Sequence, residues 1–339
     1  MVRGKRWRRV EEQWRMSAVQ RRETQPKPKG NGLNPITFKA STANLEVSKG
    51  KVKPFVNSFR AKVRPEQMPF NIVHGTDGFP RVILTDLTGS SAEVLLYGGQ
   101  VVSWKNERRE ELLFMSRKAV RKPPKAIRGG IPVCFPQFGN FGSLEQHGFA
   151  RNRLWSLDSN PSPLSPSNSQ SSVDLILKST QEDVRTWPRR FELRLRISLS
   201  DGKLTMIPRV RNTDSKPFSF MFALRNYLSV SDVSEVRVEG LETLDYFDNL
   251  MQRERHTEQA DAITIDGELY GILGKKSQGS SRYGDEDYKT MLCVDSAAIE
   301  TSIVLKPFEE WRGRQELSTV SSSYCSGQLD PRKVLHGLI

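Results

Sequence analysis

Residues 191–200 read FELRLRISLS. Phe191, Leu193, Leu195, Ile197 and Leu199 alternate with Glu192, Arg194, Arg196, Ser198 and Ser200. A period of two sends successive side chains to opposite faces of an extended chain, as in a strand buried on one side. The next run, KLTMIPRVRNT (203–213), has the same style, and so do SVDLILKST (172–180) before it and FSFMFAL (218–224) after it. Farther out come NIVHG (71–75), RVILTD (81–86), AEVLLYG (92–98), QVVSWKN (100–106) and ELLFMS (111–116). EVRVEGL (235–241), DAITI (261–265), YKTMLCV (288–294), SIVLKP (302–307) and RQELSTVS (314–321) continue the series. These runs are short, apolar and bounded by Gly, Asp or Asn, as strands are. No stretch from Asn71 onward keeps a helical period over ten residues. Strands recurring about every ten residues predict an all-β sandwich or barrel. SNPSPLSPSNSQSS (159–172) lacks apolar surface to bury and is expected to be an exposed loop.

The 339 residues suit two domains, or one large β domain with extensions. Apolar residues make up 36% and mean hydropathy is −0.54. No run approaches the ~18 apolar residues of a membrane span. Net charge is +13, and residues 1–65 hold 17 Lys and Arg against four acids, so the whole excess lies there. The neutral remainder offers no general field for a polyanion, which argues against a nucleic-acid partner. Within the arm, MVRGKRWRRVEEQWRM (1–16) suits a short basic helix and QPKPKGNGLNP (25–35) breaks it. No apolar h-region of a secretory signal is present. Residues 1–65 are therefore expected to be a disordered basic extension of a cytoplasmic protein or a transit segment, a plastid or mitochondrial leader. Cys134, Cys293 and Cys325 show no CxxC spacing, and His74, His147, His256 and His336 show no metal-ligand spacing. A reducing compartment without structural zinc is expected. No GxSxG motif supports a serine nucleophile.

Residues 121–153, RKPPKAIRGGIPVCFPQFGNFGSLEQHGFARNR, are dense in Gly, Pro and polar heads. Such a segment can gather Lys125, Arg128, Gln137 and His147 around a cleft. It can equally be a loop-rich connection with His147 a hydrogen-bonded structural histidine. Arg128 precedes Gly129–Gly130: a guanidinium binds phosphate bidentately, and glycines admit a close approach. Asp295 lies in the apolar run MLCVDSA, where an acid must be paired, hydrogen-bonded or functional. Asp232 and Glu235 read as residues flanking a turn.

The blocks RGGIPVCFPQFG, HGFAR, LSVSDVSEVRVEGLETLDYFDN, DEDYKTMLCVD and LKPFEEWRGRQEL occur in this order. Together they resemble the glucose-6-phosphate 1-epimerases (hexose-6-phosphate mutarotases) of the aldose 1-epimerase superfamily, plant members above all. The resemblance covers residues 69–338 and implies one large antiparallel β-sandwich domain of the galactose-mutarotase type. It implies a hexose 6-phosphate substrate and neither a metal nor an organic cofactor, and we expect a monomer. It also implies a chemistry: a carboxylate takes the anomeric hydroxyl proton, an imidazole protonates the ring oxygen, C1–C2 rotates and the ring closes. By position, Asp295 matches the base, His147 a histidine lining the sugar site, and Arg128 the arginine of RGG. Lys125, Gln137 and Tyr270 fall among the expected substrate-binding groups.

Three departures stand out, one being that DAITIDGELYGIL (261–273) puts Tyr270 where the family carries a binding aspartate. FALRNYL (222–228) puts Arg225 where the family carries its acid histidine, and arginine stays protonated and cannot shuttle a proton. Relative to the family, one strand block is also missing between Leu273 and Tyr288. The sequence thus supports an active epimerase or, alternatively, a catalytically impaired sugar-phosphate-binding protein of the same fold. A reporter fused to residues 1–65 tests the leader: import into plastids is expected of a transit segment, and a diffuse cytosolic signal contradicts it.

Overall fold

The computed structural model describes residues 37–38, 46–48, 71–75, 77–161, 170–248, 254–260, 262–265 and 286–320. Two short strands, β1 (Thr37–Phe38) and β2 (Glu46–Ser48), precede a meander of β3 (Asn71–His74), β4 (Pro80–Thr85), β5 (Ser91–Leu95) and β6 (Gln100–Lys105). Next come β7 (Val133–Cys134), β8 (Ser156–Leu157), β9 (Ser171–Lys178), helix α1 (Gln181–Thr186), β10 (Phe191–Ser200), β11 (Lys203–Asn212) and β12 (Phe218–Ser229). β13 (Arg237–Glu239) pairs with β16 (Ala262–Thr264), and β14 (Asp245–Asp248) with β15 (Glu254–Thr257). The last strands are β17 (Met291–Leu305), β18 (Glu310–Arg312), β19 (Gln315–Leu317) and β20 (Thr319–Val320).

A seven-stranded antiparallel sheet runs β2-β18-β11-β10-β9-β8, with β19 also on β11. A three-stranded sheet runs β17-β12-β7 and carries the candidate site. The expected all-β, antiparallel architecture is what the chain adopts.

β10 follows its sequence pattern. Phe191, Leu193, Leu195, Ile197 and Leu199 are buried, while Arg194 and Arg196 on the other face pair with Asp158 (2.5 Å) and Asp174 (2.9 Å). Asp201 and Gly202, both with positive φ (51° and 71°), close the two-residue turn into β11. The Gly202 N–H donates to Asp86 Oδ2 at 2.7 Å, which ties this hairpin to the β4–β5 turn. One apolar cluster joins the sheets, with Val82, Leu84, Val94 and Trp104 from the meander, the β10 residues, and Phe218, Phe220, Phe222 and Leu224 from β12. Phe135 lies 5.0 Å from the ring of Phe191 and 5.5 Å from that of Phe220. Asn226, buried on the core side of β12, exchanges amide hydrogen bonds with Gln315 of β19 (2.9 and 2.8 Å). A buried amide pair satisfied in both directions anchors β12 to the large sheet without an orphaned polar atom.

Several local readings change. β2 pairs with β18 at the edge of the seven-stranded sheet and β1 pairs with β20 in a two-stranded sheet, so two pieces of the arm, read as disordered, pair with strands of the body. The sandwich thus gathers strands from before residue 69. ELLFMS makes only isolated bridges, because its alternate residues Glu111, Leu113 and Met115 meet three different neighbours, Lys105, Leu228 and Gly129. Ser171 and Ser172, assigned to the low-complexity loop, are the buried start of β9. MLCV of YKTMLCV and SIVL of SIVLKP fall in one fifteen-residue strand, β17, and Tyr288–Thr290 belong to a short 3-10 turn before it. Asp232 caps the short turn Val233–Glu235 through Ser234 N–H (2.9 Å), as its sequence suggests.

Leu195 is fully buried at the centre of β10. Leu195→Ala is expected to cost about 2–5 kcal/mol, measured by denaturant unfolding. A loss below about 1 kcal/mol would contradict a core centred on this strand.

Candidate functional site

β12 has two faces. Phe218, Phe220, Phe222, Leu224 and Leu228 point into the core. The alternate residues Ala223, Arg225 and Tyr227 face the other way, as the two-residue period requires. Arg225 lies directly opposite Asp295 of β17, Tyr227 opposite Cys293, and Ala223 opposite both Ala297 and Cys134 of β7. These rungs put an arginine, an aspartate, a tyrosine and two thiols on one patch. The segment after β7 adds Phe138 and His147.

Arg225 is the hub. Its Nε lies 3.0 Å from Asp295 Oδ2, its Nη2 donates to Cys293 Sγ at 3.4 Å, and its Nη1 lies 2.9 Å from His147 Nε2. The guanidinium carbon sits 5.4 Å from the Tyr227 ring centre and 6.0 Å from that of Phe138. Burial opposes its charge, yet the Asp295 carboxylate, with Tyr227 and the two thiols, holds the guanidinium well above the ordinary arginine range. Arg225 is therefore a permanent cation. Burial and the Asp295 charge push the Cys293 thiol up, so it keeps its proton and donates to Asp295 Oδ1 at 3.2 Å. Burial pushes the Cys134 thiol up to about 12. Neither thiol is a nucleophile here, because the thiolate is the reactive form.

His147 is buried and has a positive φ of 68°. Its N–H donates to Gly139 O (2.9 Å), and the Gly139 N–H donates back to His147 Nδ1 (3.1 Å). This exchange sets the ring's orientation and turns Nε2 toward the sheet. The loop between these residues is held by Gln137, whose Nε2 donates to Gly139 O (3.0 Å) and Leu144 O (3.1 Å) and whose Oε1 accepts from Leu144 N–H (3.0 Å). Gln137, expected among the substrate-binding groups, is buried and serves to position the histidine loop.

The RGG segment runs beside Tyr227, whose N–H donates to Gly130 O at 3.0 Å. A Cβ on Gly129 would lie 2.4 Å from Phe114 O, and one on Gly130 would lie 2.2 Å from Val101 O. The close approach that these glycines allow is thus to neighbouring backbone, a correction to the reading that they clear room for an anion. Arg128 follows as a half-buried residue whose carbonyl accepts from Ser116 N–H (3.2 Å). Lys125 is exposed, and its carbonyl accepts from the Tyr97 hydroxyl (3.2 Å). Tyr270 lies outside the described residues, as does the region between Leu273 and Asp285.

The structure thus brings Asp295, Arg225 and His147 into one connected cluster, with the RGG segment alongside. Sequence reasoning missed Cys293 and Tyr227. Both stand two residues from a named site residue on a strand, so the period of two already marks them as face-mates. Phe138 and the Gly139 N–H carry no such signal, because a loop brings them in. Among the described residues no group of three or more His, Cys, Asp or Glu side chains is arranged to hold a metal ion, and no helix is long and apolar enough to cross a membrane.

Residues 80–278 match the sequence profile of the aldose 1-epimerase family. A provisionally named glucose-6-phosphate 1-epimerase of the plant Cenchrus ciliaris is 51% identical over 309 residues, spanning 79% of this chain and 94% of its own. The chain belongs to the aldose 1-epimerase family. The profile match takes in Arg128, His147 and Arg225 and ends before Asp295. A similarly named Escherichia coli protein is 34% identical over 164 residues, 47% of this epimerase-family chain and 52% of its own length. The crystal structure of a provisionally named mutarotase from Salmonella typhimurium superposes with a TM-score of 0.60 at 20% identity, covering 75% of this chain and 97% of that one. At that identity the likeness establishes a shared fold.

Gly130→Ala separates packing from ligand binding. The strained φ of 61° and the contact with Val101 O are expected to cost at least about 3 kcal/mol of stability, seen in thermal unfolding. Unchanged stability with weakened phosphate-sugar binding would contradict the backbone-packing role.

Proposed function

We propose that this chain is a hexose-6-phosphate 1-epimerase, acting on glucose 6-phosphate, whose acid step is weakened by Arg225. The supporting observation is one line of contacts: Asp295 Oδ2 to Arg225 Nε at 3.0 Å and Arg225 Nη1 to His147 Nε2 at 2.9 Å. A carboxylate and an imidazole thus share one face of one sheet. The names of the Cenchrus and Escherichia coli relatives support the substrate.

In this reading the Asp295 carboxylate removes the proton from the anomeric hydroxyl. The ring C1–O5 bond breaks as O5 takes a proton from Nε2 of the His147 imidazolium, a form in which Nδ1 no longer accepts from the Gly139 N–H. Rotation about C1–C2 and reversal of the two transfers give the other anomer, and both residues regain their starting states. Arg128 and Lys125 attract the 6-phosphate as cations. In this reading the protein acts as a monomer. The basic arm keeps cytoplasm and plastid as the two destinations.

Arg225 is what limits this reading. It occupies the space between base and imidazole, pairs with the base and cannot give up a proton. General acid–base help is worth about 10²–10⁴ in rate. Its contacts favour a second reading, a sugar-phosphate-binding protein with little turnover.

Exchange NMR on glucose 6-phosphate anomers tests both. Catalysis above the spontaneous rate is expected, removed by Asp295→Asn and increased at least about tenfold by Arg225→His. Hexose 6-phosphate binding without turnover in the native chain would establish the second reading in place of the first.

A further inference from the structure

Asp287 is a buried acid that the chemistry above does not use. It opens the short turn Asp287–Thr290, which runs straight into β17 and so toward Asp295. It is 5% exposed, and its Oδ2 accepts from the Ser116 hydroxyl at 2.7 Å. Ser116, equally buried, lies 171 residues away along the chain. Its own N–H donates to Arg128 O (3.2 Å), and its Oγ accepts from the Lys118 N–H (3.2 Å). A buried carboxylate and hydroxyl add little net stability beyond what two apolar groups of the same shape would give. What the pair does add is direction: it fixes Ser116, and through it the carbonyl of Arg128, to the strand that carries the base.

Ser116 and Arg128 close a loop. Residues 117–127 leave and return at one point, where Met115 also bridges Gly129 and the Gly130 N–H donates to Phe114 O (2.7 Å). Phe114 in turn donates its N–H to Tyr227 O (2.8 Å), so the loop is rooted on β12 two residues from Arg225. Closed loops of this length are packed by their own side chains. Here Ala119 and Ile127 pack with Phe79, Leu95 and Tyr97, and the Tyr97 hydroxyl donates to Lys125 O (3.2 Å). The segment 116–128 carries six cations and no acid, in a chain that is neutral from residue 66 onward. Arg121 is engaged by Asp77 (2.7 Å), and Arg117, Lys118, Lys122 and Lys125 are exposed. A firmly rooted element of one sign thus stands at the edge of the site.

We infer that Asp287 is a positioning residue, which through Ser116 holds the loop 116–128 as the anion-binding element for the 6-phosphate. The inference rests on the hexose-6-phosphate reading and adds a reason why the phosphate end and the anomeric end of the sugar keep one spacing. The cation loop and the base strand are clasped to each other at Asp287. Asp287 is buried and acts through Ser116, without contact to the ligand. The ligand class follows from the charge: the loop's side chains are cations, which suit a dianion and give little to a neutral hexose.

Calorimetric and NMR titrations of the full chain with three probes test this: glucose 6-phosphate, inorganic phosphate and glucose. Ser116→Ala removes the hydroxyl that Asp287 holds. It is expected to weaken glucose 6-phosphate and inorganic phosphate by a similar factor, at least about fivefold, and to leave glucose within about twofold of the native chain. Asp287→Asn keeps an acceptor for the Ser116 hydroxyl but loses the charge, and is expected to shift the same two probes by a smaller factor. A role in packing alone would move all three probes together, or none. Either result, in a variant whose circular dichroism matches the native chain, overturns the inference, while native affinity for glucose 6-phosphate leaves the sugar-phosphate reading standing. Should Ser116→Ala fail to fold, Asp287→Asn carries the same comparison. Failure of the native chain to bind glucose 6-phosphate overturns both.

Discussion

A guanidinium and a carboxylate face each other across one antiparallel rung, Arg225 on β12 and Asp295 on β17. The pair sits on the sheet face turned away from the core, partly withdrawn from water. Left alone there, either charge would be costly, and removing one partner of such a pair typically costs about 3–5 kcal/mol. Together they fix everything around them. The Asp295 oxygens are taken by Arg225 and by the Cys293 thiol. The remaining edge of Arg225 meets His147, which a loop stapled by Gln137 presents at one angle. The chemistry of the face is the chemistry of that bridge.

β12 lets a single strand serve stability and chemistry. Its phenylalanines build the aromatic core with Phe135 and Trp311, while Arg225 and Tyr227 stand on the opposite side. Alternation keeps the two jobs apart. A register slip of one residue would bury the arginine among phenylalanines and expose the core. The RGG segment and Asn226 guard against that slip. The first hydrogen-bonds beside Tyr227 where no Cβ fits, and the second is locked to Gln315. Packing precision on one face therefore sets the charge geometry on the other.

Much of this was written in plain alternation. FELRLRISLS carries its burial pattern on its surface, and MLCVDSA marks an acid in an apolar strand that needs a partner. The partner itself was legible only as an oddity, an arginine at a position where the resemblance leads one to expect histidine. That it clasps Asp295 depends on pairing two strands more than sixty residues apart in sequence, and local pattern carries no register of that range. The glycines of RGG were visible as glycines, but what they approach depends on Val101 and Phe114, which belong to other segments. Gln137 was read as a ligand group because polar side chains in a loop look alike until their amides are seen bonded to the loop's own backbone. ELLFMS looked like a strand because its residues suit one. Its alternate residues meet three different neighbours, so it pairs with none of them over a second rung.

A double-mutant cycle between Arg225→Met and Asp295→Asn, read by denaturant unfolding, addresses the bridge most directly. Each single change strands a charge or an amide, and the double change strands neither charge. The bridge requires the double variant to be more stable than the sum of the single losses implies, by at least about 1 kcal/mol. Additive losses, with no coupling beyond about 0.3 kcal/mol, would mean that the two side chains do not meet, and the face would lose the interaction that organises it.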